Sequence, residues 1–142
     1  MASTIQVRVD DELKRKSDSL FKDLGMLYYT PQIWCSDNTD AVDRIRIQYG
    51  TSFAYPLSTM GAHVSAVPNH QTGRVTDMKT RGVVAMTGAF GYELDLGKLS
   101  EEDKTAVREQ IKTYHEAAPV ILKGDYYRLS NPFEAEYGVS VC

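Results

Sequence analysis

An α/β fold class is predicted for this chain by three observations. Stretches rich in β-branched and aromatic residues, or alternating apolar with polar, precede stretches whose apolar residues recur at helical spacing. Those helical stretches open on Asp, Thr or Ser and close near Gly or Pro, the residues that cap and stop helices. A length of 142 residues, 42% hydrophobic and 25% charged, suffices for one domain with a core. A net charge of −3 argues against bulk attraction to nucleic acid or to an anionic membrane. No apolar run approaches the roughly 20 residues of a membrane span, and Met1-Ala2-Ser3-Thr4 leads into charges rather than a signal-peptide core. A cytoplasmic protein with no membrane partner is therefore expected. The two cysteines, Cys35 and Cys142, make no disulfide framework and no metal-ligand spacing, so reduced thiols and no metal or cofactor are expected.

The elements follow in order. Thr4-Ile5-Gln6-Val7-Arg8-Val9 alternates with the period of a half-buried strand, Ile5, Val7 and Val9 on one face and Thr4, Gln6 and Arg8 on the other. The period then changes: Asp10 is placed to cap, Asp11 and Glu12 favour the helix dipole, and Leu13, Leu20, Phe21 and Leu24 line one side until Gly25. Residues 27 to 31 read as an approach loop, and residues 32 to 35 as a short buried strand. A helix is expected over residues 39 to about 55, with Val42, Ile45 and Tyr49 as its apolar stripe, Asp43, Arg44 and Arg46 on a solvated face, and Pro56 as the stop. An Asp43–Arg46 surface pair would contribute little.

The next strand is expected at residues 60 to 67, closing on Pro68-Asn69-His70. Residues 77 to 89 read as a helix that Gly82 and Gly88 each weaken by about 1 kcal/mol relative to alanine. Ser100 with Asp103 approximates a capping box, Glu101 and Glu102 load the first turn, and Val107, Ile111, Tyr114 and Ala118 step at helical spacing until Pro119. Lys123-Gly124-Asp125 is then a turn and Tyr126-Tyr127-Arg128-Leu129 the beginning of a strand.

The chemistry concentrates in Ile33-Trp34-Cys35-Ser36-Asp37-Asn38-Thr39-Asp40, directly ahead of a helix. A carboxylic acid that delivers a proton needs a raised pKa, which an apolar ring such as Trp34 supplies by excluding water and a second carboxylate supplies by repulsion. The plainer alternative is that Asp37, Thr39 or Asp40 caps the following helix. His63 and His70 are candidates to line a polar-ligand site, weighed against ordinary hydrogen-bonded histidines.

Met26-Leu27-Tyr28-Tyr29-Thr30-Pro31-Gln32 through Asp40, then Arg44 and Ile47-Gln48-Tyr49-Gly50-Thr51-Ser52, resemble the α-galactosidases of glycoside hydrolase family 36. Met60-Gly61-Ala62-His63-Val64-Ser65, Pro68-Asn69-His70-Gln71-Thr72-Gly73-Arg74, Phe90-Gly91-Tyr92-Glu93-Leu94-Asp95-Leu96 and Gly124-Asp125-Tyr126-Tyr127-Arg128-Leu129 continue the resemblance to about Glu134. It implies a partial (β/α)8 barrel segment, the last strands and helices, over residues 26–99, and a helix with a truncated start of a C-terminal β domain over residues 100–142. In such a barrel the carboxylates would lie at a strand's C-terminal end, where active sites sit.

Retaining glycosidases use one carboxylate as nucleophile and a second, about 5–5.5 Å away, as acid/base. By position in Ser36-Asp37-Asn38-Thr39-Asp40, the resemblance makes Asp37 the acid/base, with Trp34 and Cys35 as wall and Asp40 as loop support or cap. The family's nucleophile belongs to a Lys-Trp-Asp motif, which this sequence does not contain. Hydrolysis of α-galactosides of the raffinose or melibiose type is implied for the family, with the isolated chain inactive or nearly so. An open barrel edge also predicts self-association.

Residues 3–25 resemble, separately, the N-terminal half of RelB/DinJ-type ribbon-helix-helix antitoxins. That resemblance implies DNA contacts through Thr4, Gln6 and Arg8, or a toxin partner, as an alternative function. The chain is thus expected to divide into residues 1–25, 26–99 and 100–142.

Overall fold

Two consecutive strand–helix–strand units dominate the fold. The computed structural model describes residues 32–131, 133 and 140–141. The expected strand at 4–9, helix at 10–24 and approach loop at 27–31 lie outside the described residues. Within them run β1 (Ile33–Trp34), α1 (Ala41–Thr51), β2 (Met60–Ser65), α2 (Met78–Ala85), β3 (Ala89–Glu93) and α3 (Glu101–Lys123). The strands form a parallel sheet in the order β1-β2-β3, with Trp34 opposite Gly61, His63 opposite Gly91 and Ser65 opposite Glu93. Parallel neighbours need a crossover, and α1 and α2 are those crossovers. A separate antiparallel pair joins β4 (Tyr127–Arg128) to β5 (Ser140–Val141).

Alternation along β2 sets the core. Met60, Ala62 and Val64 have no exposed surface, and Val64 packs with Met78 and Ala85 of α2 and Val107 of α3, flanked by Phe90 and Tyr92. The opposite set, Gly61, His63 and Ser65, shares its face by register with Trp34, Gly91 and Glu93.

Five sequence expectations need correction. Helix α1 ends at Thr51 rather than near residue 55, because the Thr51 and Ser52 hydroxyls donate to the carbonyls of Ile47 and Tyr49 and the following residues close into turns. The buried face of α1 is Ala41, Arg44 and Gln48, whereas Val42 and Ile45 are exposed. The cause is non-local: carbonyl oxygens on neighbouring strands and loops accept from Arg44, so the polar stripe turns inward. Asp43 interacts with Asn38 and Arg74 rather than Arg46, whose guanidinium instead lies 5.3 Å over the Phe133 ring.

Helix α2 stops at Ala85, and the stretch Ala89–Glu93 is a strand where the helix was expected to run on. Gly82 lies inside α2 beside Gln110, where a Cβ would meet the buried amide at 2.3 Å. Gly88 precedes β3, where a Cβ would meet the Met60 carbonyl oxygen at 2.6 Å. Helix α3 continues through Pro119 to Lys123, and the stop is Gly124, whose N–H donates to Val120 O at 2.8 Å. One missing ladder bond at the proline is outweighed by the rest of a 23-residue helix.

Candidate active site

The turn leaving β1 carries the site. Asn38 organises it: its N–H donates to Ser36 Oγ, its Oδ1 accepts from the Asp40 N–H, and its Nδ2 donates to Asp43 Oδ2 at 2.8 Å. Asp37 stands exposed at the C-terminal edge of the sheet, its Oδ1 accepting from Trp34 Nε1 at 3.1 Å. Trp34, itself 41% exposed, meets Asp37 as a hydrogen-bond donor at its polar edge.

Asp40 has a different place. It is 2% exposed, and its Oδ1 accepts from the N–H groups of Val42 and Asp43 at the start of α1, while its Oδ2 accepts from the Thr72 hydroxyl. Arg74 forms an ion pair with the same carboxylate. Burial alone would raise this carboxyl, but the Asp43 N–H, the Thr72 hydroxyl and the Arg74 charge outweigh it and hold it below the ordinary carboxylate value.

The loop after β2 is locked to this turn. Asn69 Nδ2 donates to Thr39 Oγ1, Asn69 Oδ1 accepts from the N–H groups of Gln71 and Thr72, and Gly73 takes a left-handed φ of 69° to close the turn. Ser65 Oγ donates to Thr39 O, and the buried Arg81 donates to Ser65 O at 2.6 Å. None of these groups is left unsatisfied: every buried side-chain nitrogen or oxygen among the described residues has a partner.

His63 is half-buried, its ring centroid 4.9 Å from that of Trp34 and its Cδ2 close over Gly91. Burial lowers its pKa, the nearby Arg44 charge lowers it further, and Glu93 opposes both. Cys35 is half-buried, with Arg44 close enough for its guanidinium to interact with the thiol. Trp34, Asp37 and His63 thus share one edge of the sheet, together with Cys35 on the same turn. His70 is exposed on the turn after β2. Thr4, Gln6 and Arg8 lie outside the described residues.

Sequence reading passed over Arg44, Asn69, Thr72, Arg74, Arg81 and Glu93. For Arg44 a signal existed, because Ala41, Arg44 and Gln48 repeat at the same helical spacing as Val42, Ile45 and Tyr49. No group of three metal-ligating side chains occurs among the described residues, and no helix there is long and apolar enough to cross a membrane. The arrangement presents the Asp37 carboxylate at the C-terminal ends of the strands beside Trp34 and His63.

The sequence and fold match known proteins. The Melibiase family matches residues 17–124. The bifunctional α-galactosidase/sucrose kinase AgaSK of Mediterraneibacter gnavus is 68% identical over 114 residues, which are 80% of this chain and 12% of that protein. Alpha-galactosidase AgaA of Geobacillus stearothermophilus is 61% identical over 112 residues, 79% of this chain and 15% of that one. The solved galactosidase domain of AgaSK aligns with a TM-score of 0.77 at 69% identity, covering 79% of this chain and 16% of that domain. A variant of AgaA solved in complex with raffinose aligns with a TM-score of 0.76 at 59% identity, covering 78% and 16%. The chain therefore spans about an eighth to a sixth of the length of the relatives it matches. The Melibiase match begins inside the stretch read as antitoxin-like, and none of these comparisons supports that reading. A family match over most of the sequence, high identity to curated relatives and a shared parallel α/β fold lead to one statement: this chain belongs to the Melibiase family.

Proposed function

We propose that this chain carries the acid/base half of a retaining α-galactosidase site, with Asp37 as the proton donor and acceptor. One observation carries the reading: within a stretch 68% identical to an α-galactosidase, Asp37 stands exposed at the C-terminal end of a parallel strand, with a tryptophan N–H fixed on its carboxylate. In this reading β1, β2 and β3 are consecutive staves of a (β/α)8 barrel, and residues 26–99 are the barrel segment. Residues 100–142 are a scaffold helix and the start of a β domain.

The chemistry is double displacement. The acid protonates the leaving glycosidic oxygen while a second carboxylate attacks the anomeric carbon, and the acid then deprotonates water. Trp34, Cys35 and His63 form the wall against which an α-galactoside of the raffinose or melibiose type lies. The nucleophile is not supplied by Asp40. That carboxylate is buried, caps α1 and is paired with Arg74, so it cannot reach a sugar. No Lys-Trp-Asp motif lies among these residues, so in this reading they supply one of the two carboxylates that double displacement requires.

The test is hydrolysis of an aryl α-galactoside by the purified chain beside Asp37→Asn. Background turnover in both is expected. Turnover in the parent that disappears in Asp37→Asn would mean that a further carboxylate completes the site and would overturn the half-site reading.

A further inference from the structure

Arg44 is 4% exposed, and three arms of its fork end on neutral oxygens, Nε on Gln48 Oε1 at 3.0 Å, Nη1 on Ser36 O at 3.3 Å and Nη2 on Gly61 O at 2.6 Å, while the Cys35 sulfur and the Glu93 charge also act on the guanidinium. Taking a guanidinium out of water is costly, and a well-packed apolar residue would serve stability as well or better. What the guanidinium supplies is a rigid planar fork that holds several acceptors at once.

Two of these acceptors bear on Asp37. Ser36 is the residue before it. Gly61 stands opposite Trp34 in the β1–β2 register. The guanidinium carbon also lies 6.0 Å from the Trp34 ring centroid, and that ring's Nε1 donates to Asp37. Behind the fork, Gln48 is itself fixed by Thr87 Oγ1 and Val84 O.

We propose that Arg44 is the positioning residue of Asp37, fixing where the carboxylate stands through the Ser36 backbone and the Trp34 ring. It touches no reacting atom. That a proton is transferred at Asp37 rests on the function proposed above; the geometry of the Trp34–Asp37 bond does not.

Trp34 is the sole tryptophan, so one indole N–H signal in a proton–nitrogen correlation spectrum of the full chain reports this bond. On acidification from neutral pH, the part of the indole shift that vanishes in Asp37→Asn is the Asp37 response. The remainder comes from groups facing the ring, chiefly His63. In Arg44→Gln the Asp37 response is expected to shrink by about threefold or more, and in Arg44→Lys, which keeps the charge without the fork, by less. A residue acting only on stability would lower the melting temperature and leave that response intact. An Asp37 response in Arg44→Gln equal to the parent's overturns the proposal. If Arg44→Gln does not fold, Arg44→Lys decides it, and an unchanged response there overturns the proposal equally. No turnover enters the experiment, so its failure and failure of the α-galactosidase reading are separable.

Discussion

The Trp34 indole N–H donates to the Asp37 carboxylate at 3.1 Å across a three-residue turn, so the chain's single tryptophan is bonded to its candidate acid. This contact is exposed, and exposed hydrogen bonds contribute little to folding. Trp34→Phe is accordingly expected to cost under about 1 kcal/mol, measured by urea unfolding. A much larger loss would mean that the ring is a structural prop rather than a partner of Asp37.

Asp40 should behave in the opposite way. Asp40→Ala removes the α1 cap and the anionic partner of Arg74 together, with an expected cost of about 2–3 kcal/mol. Asp40→Asn keeps an oxygen for the cap and loses the charge, and about 1 kcal/mol is expected, since the half-exposed Arg74 can return to water. Chemical denaturation of the two variants checks the ordering.

The lowered Asp40 value also sets a pH dependence. A carboxylate whose folded value is depressed contributes stability that is complete above its ordinary value of 3.8 and is lost as pH falls through the lower folded value. The acid-side fall in melting temperature is therefore expected to be shallower in Asp40→Asn than in the parent. Parallel acid limbs in thermal melts would contradict this.

His63 adds a second limb at milder pH. Burial and the Arg44 charge lower its value from 6.5, so the unfolded chain binds the proton more readily. Stability is thus complete above 6.5 and falls as pH drops from there toward the lower folded value. His63→Gln is expected to flatten this part of the curve, read as melting temperature at pH steps through the weakly acidic range.

How much of this was legible in the sequence depends on the range of each interaction. The Asp40 and Ser100 caps bond to backbone a few residues away, so local pattern exposes them. The inward face of α1 was not legible. Val42-Ile45-Tyr49 and Ala41-Arg44-Gln48 fit the same helical period, and the choice between them is made by Gly61 O, 17 residues from Arg44. Strand β3 was hidden for a similar reason, because Gly88 looks like a weak helix residue until the Met60 carbonyl is placed against it. The Asp37 carboxylate was legible as chemistry, but its tryptophan donor was not, since a sequence shows the ring's apolar area and hides where its N–H points.

Asp37 as the acid/base is tested most directly by pairing it with the second carboxylate that the reaction needs. Residues 32–124 would replace the corresponding segment of AgaA, which is 61% identical over 112 residues, and the chimera would be assayed with two aryl α-galactosides. One would carry a poor leaving group that needs a proton, the other a strongly activated group that does not. In the chimera, Asp37→Asn is expected to lower kcat/KM about 10²–10⁴-fold for the poor leaving group and far less for the activated one. Equal kcat/KM with and without the substitution on both substrates would contradict the assignment of Asp37.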